Sequence, residues 1–233
     1  MIHDMTYAVQ GALREERKFD VLSNHLANSS TTGFKSQTLS FDDMLQLHMK
    51  VNTAQGAINK TEAPLDVAIS GGGYFKVETD HGVRYTRNGN FTLNSQGVLV
   101  TDRGAPVLSE SGQRITIDIV NATDGGQVSI REDGEIEVDG TGTGKLALVD
   151  FVAPDRLRKE GDSLFAYDGP ETDAITPVES TIEQGALEQS NVEVVPEMAR
   201  MIEAHRFYES YQKLIQTVDD LNAKAVSEVG VVR

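Results

Sequence analysis

The apolar positions near the C-terminus follow the alternating three- and four-residue spacing of an amphipathic helix. Between residues 190 and 229 they form one stripe, in which only one position is polar: Met201, Ala204, Tyr208, Tyr211, Ile215, Val218, Asn222, Ala225 and Val229. This spacing, kept for about four heptads, predicts a long helix that packs along other helices. Pro196 suits its first turn, and Leu214 and Leu221 beside the stripe would let the face meet more than one neighbour.

A second stripe with the same spacing lies at the N-terminus. Its members are Met5, Ala8, Ala12, Glu15, Phe19, Leu22 and Leu26, and all except Glu15 are apolar. The helix should end between Asn28 and Gly33, where short polar side chains compete for backbone hydrogen bonds and the glycine can take a positive φ. Gly11 is expected to cost about 1 kcal/mol relative to alanine. The stripe is narrow, which favours a helix that orders only when it is packed.

Residues 65–165 have a different pattern. Short runs of alternating or β-branched residues are separated by glycine turns at fairly even spacing, for example at 70–73, 88–89, 133–134 and 140–144. Many short strands with such turns predict an antiparallel β domain, and about a hundred residues suffice for a core of its own.

The remaining segments connect these parts. Residues 40–49 are predicted to form a short helix that Ser40 caps, with Asp43 three residues on. The whole pattern predicts an α+β fold: an N-terminal helix in 1–35, an extended arm in 36–64, a β-rich domain in 65–165, a return arm in 166–189 and a C-terminal helix in 190–233. The two helices would pair as a discontinuous coiled-coil domain. A simple helical hairpin within one chain would explain the same stripes.

Composition and charge narrow the range of partners. Against 36 Asp and Glu the chain has 21 Lys and Arg, a net charge of −15, which disfavours binding to nucleic acid or to an anionic membrane surface. No apolar run is long enough to cross a bilayer, and the charged residues 14–18 interrupt the apolar stretch that a signal peptide needs. Cysteine is absent, which excludes disulfides, thiol catalysis and thiolate metal sites.

A search for catalytic and metal-binding patterns gives little. The five histidines are scattered without metal-ligand spacing and are predicted at surface or boundary positions. Residues 139–146 superficially resemble a phosphate-binding loop but lack its first glycine and the hydroxyl after Lys145, so a hairpin turn is expected. Glu135, Glu137 and Asp139 alternate along one predicted strand, as on a solvated face. We therefore expect no enzyme and no cofactor; the alternative is an acidic, sugar-active β protein, since paired carboxylates serve glycoside hydrolysis.

Three separated blocks of sequence resemble the axial proteins of the bacterial flagellar rod and hook. Residues 23–35 (SNHLANSSTTGFK) are similar to the family signature S-N-x-I-A-N-x-x-T-T-G-F-K. Residues 64–75 (PLDVAISGGGYF) and 85–91 (YTRNGNF) resemble P-L-D-x-A-I-x-G-x-G-F-F and Y-T-R-x-G-x-F. Residues 184–192 and 197–209 resemble G-x-L-E-x-S-N-V and E-M-x-x-M-I-x-A-Q-R-x-Y-E, with His205 in place of glutamine and Phe207 in place of alanine. The blocks span nearly the whole chain in the family's order.

The resemblance implies a structural subunit of the basal-body rod. The short length and single β domain are most like a proximal-rod protein, and a distal-rod or other hook–basal-body protein is the alternative. Implied partners are copies of the chain, other rod and hook axial proteins and the type III export apparatus of the flagellum. The resemblance also implies export without a cleaved signal peptide and a location in the rod, which spans the periplasm.

The terminal stripes and the first sequence block supply the residues that we expect to act in assembly. They are Met5, Ala8, Ala12, Phe19, Leu22, Leu26, Asn28, Gly33, Phe34, Met201, Ala204, Tyr208, Tyr211, Ile215, Val218 and Ala225. The remaining possibility is an adaptor protein in which the two helices form a hairpin in the monomer.

Overall fold

The computed structural model describes residues 2–41, 47–117 and 128–230. These residues form two compact units. The helical unit combines the described residues of 1–27 with those of 193–233, and the β unit contains those of 28–192. The chain therefore leaves the helical unit once, builds the β unit and returns.

Two helices make up the helical unit, α1 (Ile2–Ala27) and α2 (Val194–Gly230). They pack against each other in antiparallel directions. Along α1, Gly11 faces Tyr211, Phe19 faces His205 and His25 faces Glu197, so the partner's residue number falls as that of α1 rises. With 37 residues α2 is longer than α1, which has 26. If this pairing continues to the start of α1, the last turns of α2 extend beyond it.

The β unit contains short strands throughout its described residues. They are β1 (Gln37–Phe41), β2 (Leu47–Val51), β3 (Ile58–Lys60), β4 (Val67–Ser70), β5 (Tyr74–Thr79), β6 (Gly82–Thr86), β7 (Phe91–Leu93), β8 (Leu99–Thr101), β9 (Val128–Ile130), β10 (Glu135–Val138), β11 (Thr141–Lys145), β12 (Leu148–Phe151), β13 (Leu157–Gly161), β14 (Leu164–Tyr167), β15 (Ala174–Ile175), β16 (Thr181–Gln184) and β17 (Ala186–Glu188). All paired neighbours are antiparallel, as the alternating pattern predicts.

The largest sheet has six strands in the order β13-β14-β6-β5-β12-β15. A three-stranded sheet follows the order β11-β10-β9, and the other strands form two-stranded pairs. One core cluster includes Val67, Phe75, Leu99 and Ile136. A second cluster is aromatic, and in it Phe151 stacks on Tyr167 with 4.1 Å between the ring centroids. The β-rich body that the sequence predicts is therefore present.

Both connecting arms contribute strands to the β unit. β3 of the first arm pairs with β17 of the return arm, and β16 of the return arm pairs with β4 of the predicted β-rich domain. The helix predicted for residues 40–49 is wrong, because the described part of that stretch lies in β1 and β2, which pair from Gln37↔Val51 to Phe41↔Leu47. Residues 42–46, which include Asp43, lie outside the described residues. Packing of Val51 against the aromatic cluster overrides the local helix signal.

The predicted turn at residues 140–144 is shorter than expected. Thr141–Lys145 forms β11, and only the Asp139–Gly140 pair turns the chain between β10 and β11. Both residues have positive φ, so the reversal needs no further residues.

Candidate functional site: the helix pair and a buried ion cluster

The C-terminal stripe forms the least exposed face of α2. Ala204 is fully buried, and six further members are half-buried: Met201, Tyr208, Tyr211, Ile215, Val218 and Asn222. Ala225 is exposed in the single chain, and its predicted role in assembly stays a prediction.

The N-terminal stripe has the same character. Ala8, Ala12 and Leu22 are buried, and Met5, Glu15 and Leu26 are half-buried. Phe19 is the exception, because it stays at the edge of the interface, with its ring centroid 6.4 Å from that of His205. The spacing therefore located the contact face of α1 except at Phe19.

Apolar side chains outside these stripes remain exposed on the helical unit. On α2, Phe207, Leu214 and Leu221 follow one another at seven-residue intervals and are 47%, 49% and 57% exposed. We call these three residues the outer stripe. Tyr7 and Leu13 of α1 are exposed as well. Large contiguous apolar patches are typical of surfaces that bind other proteins.

Gly11 has a packing role that the sequence did not indicate. A Cβ atom at this position would lie 2.5 Å from two ring carbons of Tyr211. Since real contacts are longer, glycine is the residue that lets α2 place a tyrosine ring against the backbone of α1. Gly11 is thus a contact point between the helices and not simply a weak point of α1.

His25 corrects the prediction that the histidines lie at the surface or boundary. It is buried, and its Nδ1 lies 3.4 Å from Oε2 of Glu197, which is buried as well. The other carboxylate oxygen of Glu197 accepts a hydrogen bond from Arg200 at 2.8 Å. This group joins the last turn of α1 to the first turn of α2, whereas His48, His81 and His205 are exposed.

Three of the predicted assembly residues belong to the β unit. Gly33 has a φ of +66°, and a Cβ there would lie 2.4 Å from the backbone nitrogen of Asn88. Phe34 is buried under Lys159, whose Nζ lies 3.1 Å from the ring centroid. Asn28 is half-buried and accepts a hydrogen bond from the Thr31 hydroxyl. All three have packing or hydrogen-bonding roles inside that unit.

A buried ion cluster occupies the interior of the β unit. Lys35 Nζ lies 2.6 Å from Glu188 Oε1, and Arg87 Nη1 lies 3.1 Å from Glu188 Oε2. Lys35 and Glu188 are 0% exposed, and Arg87 is 3% exposed. The backbone N–H of Gly56 also donates to Glu188 Oε1, and Arg87 Nη2 donates to the carbonyl of Gly71. We call Lys35, Arg87 and Glu188 the ion cluster.

Burial dominates the electrostatics around this cluster. It lowers the pKa of Lys35, an effect that the Glu188 carboxylate opposes and the Arg87 guanidinium reinforces. Burial also lowers the pKa of Lys159 to about 8 and raises that of Tyr74 to about 12. Tyr74 lies under Arg87, whose Cζ is 5.3 Å from the ring centroid.

The ion cluster was not among the residues predicted to act in assembly. Its members come from three of the blocks that carry the resemblance: Lys35 ends the first, Arg87 lies in YTRNGNF, and Glu188 lies in the block of residues 184–192. The available signal was that each of these three segments carries one charged residue within a motif of uncharged positions. Their pairing over more than a hundred residues of sequence was not readable.

The acidic residues and histidines of the described part of the chain do not gather into a metal-binding group. No group of three or more His, Asp or Glu residues among them could hold a metal ion. Glu135 and Glu137 both pair with Arg131 near the surface of the β unit. Within the same residues, no helix has both the length and the apolar character that a membrane crossing requires.

Two family descriptions match the chain. Residues 68–138 match the flagellar hook protein FlgE/F/G D1 domain, which covers β4 to β10. Residues 183–228 match the C-terminal part of the flagellar basal-body rod FlgEFG proteins, which covers β17 and most of α2. The fold and its helix pair thus define a flagellar axial protein.

Whole-chain relatives give the narrower assignment. The flagellar basal-body rod protein FlgF of Caulobacter vibrioides is 37% identical over 237 residues, 93% of this chain and 93% of the relative. The rod protein FlgG of Bacillus subtilis is 32% identical over 265 residues, 97% of this chain and 99% of the relative. FlgG of Caulobacter vibrioides is 33% identical over 254 residues, 92% and 94% of the two chains. The chain belongs to the family of flagellar basal-body rod proteins, which are structural components of the flagellum.

Proposed function

We propose that this chain is a structural subunit of the proximal rod and polymerises through its two terminal helices into the axial drive shaft. The observation that carries the proposal is the apolar surface left on the helical unit. After α1 and α2 have packed together, the outer stripe, Tyr7 and Leu13 remain exposed. Other copies of the chain, and other rod and hook proteins, would cover this surface as a discontinuous coiled-coil domain.

The small apolar core of the helical unit supports assembly as the source of its stability. Among its described side chains the buried hydrophobic ones are Ala8, Ala12, Leu22 and Ala204, and three of these are alanines. Ordering a residue costs about 1–2 kcal/mol, which so little buried area does not offset. We infer that the helices are largely disordered in the free subunit and order when copies stack along a screw axis, which yields a tube.

The position in the proximal rod is favoured by chain length. With 233 residues the chain aligns with the Caulobacter FlgF protein over 237 positions, whereas its alignment with the Bacillus FlgG protein extends over 265 positions and needs larger gaps. A distal-rod subunit is the second candidate, because the Bacillus FlgG protein aligns with 97% of the chain. In either position the subunit acts without catalysis and lies in the part of the rod that spans the periplasm.

Export through the type III apparatus of the flagellum completes the proposal. A subunit whose helices fold only on assembly is suited to travel through a narrow channel unfolded. It would need no cleaved signal peptide.

The substitution Ile215→Asp tests assembly through the helices. Ile215 is half-buried on the contact face of α2, so an aspartate there would place a charge in the interface. We expect loss of the subunit from isolated basal bodies and an unchanged thermal transition of the β unit. Gln216→Asp is the matched control, because it adds the same charge at an exposed position of the same turn. A normal rod containing Ile215→Asp would contradict the proposal.

Amide exchange on the dilute monomer tests folding on assembly. We expect fast exchange along α1 and α2 and slow exchange in β5 and β6. If sedimentation shows a monomer and its helices are protected from exchange, the adaptor with a preformed helical hairpin is favoured. Specific glycan binding or cleavage by the chain would favour the sugar-active alternative.

A further inference from the structure

The carboxylate of Glu188 joins segments of the chain that are far apart in sequence. Its Oε1 accepts hydrogen bonds from Lys35 Nζ at 2.6 Å and from the Gly56 N–H at 2.8 Å, and its Oε2 accepts one from Arg87 at 3.1 Å. These donors precede it by 153, 132 and 101 residues respectively. One side chain therefore holds three segments of the β unit together.

Neighbouring polar contacts fasten the first arm to the same place. The Gly33 N–H donates to the backbone carbonyl of Glu188 at 2.8 Å. Asn191 accepts from the Ser36 N–H at 2.8 Å and donates to the carbonyl of Ala54 at 2.9 Å. The segments at 33–36 and 54–56 are thus anchored to residues 188–191 by hydrogen bonds.

The charge balance of the ion cluster makes Glu188 unlike its partners. Two cations, Lys35 and Arg87, face one carboxylate, and all three side chains are buried. Loss of either cation leaves a balanced pair. Loss of the carboxylate leaves two positive charges buried next to each other, and an unpaired buried charge is among the costliest defects in a folded protein.

We propose that the ion cluster is a closing lock of the β unit: the first arm docks only when the segment that carries Glu188 is in place. As long as that segment is missing, closure would bury Lys35 and Arg87 beside each other without a negative charge, so the unit stays open. The use of this lock in export rests on the proposed function. Lys35 and Glu188 are 153 positions apart, so whichever end leaves the channel first, the β unit cannot close before both of them and the chain between them have emerged.

The test compares three full-length variants by native-state amide exchange. Glu188→Gln keeps the shape of the side chain but removes the only negative charge of the cluster. We expect the opening equilibrium at the Ser36 and Gly56 amides to increase about 100-fold or more. Lys35→Met, which leaves the neutral Arg87–Glu188 pair, should open the same amides much less. The double variant Lys35→Met/Glu188→Gln should recover part of the loss.

Refolding from denaturant gives the order of events. With pulsed amide labelling, we expect protection of β5 and β6 before protection of the Ser36, Gly56 and Gln189 amides, which should appear together. Two results would overturn the lock: equal opening in Glu188→Gln and Lys35→Met, or early protection of the first arm in Glu188→Gln. If Glu188→Gln does not fold, recovery in the double variant supports the lock and its absence refutes it.

These readouts use the isolated chain and involve no rod. A failure of the assembly test with Ile215→Asp would leave the lock intact as a property of the β unit. Equal opening in the two single variants would remove the lock and leave the proposed function standing.

Discussion

At the scale of single residues, several close contacts in this protein are possible only because a glycine has no Cβ atom. Gly33 and Gly89 each lie so near another backbone segment that a Cβ would collide with it. Gly11 lies equally close to the ring of Tyr211. Helix propensity alone assigns Gly11 a cost, whereas packing assigns it a role.

Gly11→Ala separates these two effects. Alanine raises the intrinsic helix propensity by about 1 kcal/mol, but its Cβ would lie 2.5 Å from the ring of Tyr211. We expect the clash to win and the amount of subunit in isolated basal bodies to fall severalfold. The second change Tyr211→Leu, which removes the colliding ring atoms, should restore part of it. Asp20→Ala, at an exposed position of α1, is the control; unchanged incorporation of Gly11→Ala would show that propensity decides.

Lys159 makes the stability of the β unit depend on pH. Its pKa is lowered to about 8 in the folded state, against 10.5 for an ordinary lysine, so the unfolded chain binds more protons between these values. The free energy of unfolding should therefore rise from pH 8 to pH 10, by less than about 1.4 kcal/mol per pH unit for one group. Lys35 acts in the same direction.

Urea unfolding at several pH values measures this slope, and Lys159→Met should reduce it. Above pH 10 the raised pKa of Tyr74 reverses the trend, because the unfolded chain then loses the phenol proton first. The comparison therefore belongs between pH 8 and 10. An identical slope in the variant would show that Lys159 keeps its ordinary pKa.

At the scale of elements, α2 carries two apolar rows with different tasks. One row packs on α1, and the outer stripe beside it stays exposed in the single chain. The first row accounts for the pairing of the helices. The second is the surface on which the proposed function depends.

Leu214→Asp probes the outer stripe without entering the contact with α1. Leu214 is 49% exposed, so the substitution should leave the thermal transition of the β unit and the solubility of the monomer unchanged. We expect a large loss of the subunit from basal bodies, because in the rod a neighbouring copy would bury this position. Gln216→Asp should assemble normally. Normal assembly of Leu214→Asp would mean that the outer stripe faces solvent in the rod.

At the scale of the whole molecule, the proposed function assigns stability and assembly to different units. The β unit holds most of the buried hydrophobic residues and the ion cluster, whereas the helical unit buries few. Under the proposed function, the β unit stays folded in the free subunit while the helices order only on assembly. The two units also differ in what sequence reasoning could predict about them.

Periodicity along the sequence determined the two long helices, the many short antiparallel strands and most of the contact face between the helices. It did so because helix and strand repeat lengths are local properties, so each stripe can be read without knowledge of its partner. The helix predicted at 40–49 failed because a strand partner ten residues away and an apolar contact outweighed the local pattern.

Only the tertiary structure decided which residues meet. The alignment of α1 with α2 brings Gly11 against Tyr211 and buries His25 on Glu197. Lys35 and Arg87 meet Glu188 although they precede it by 153 and 101 positions. No repeat in the sequence encodes the chain reversals that bring them together. Local spacing fixes the faces of the elements, and packing alone selects the partner of each face.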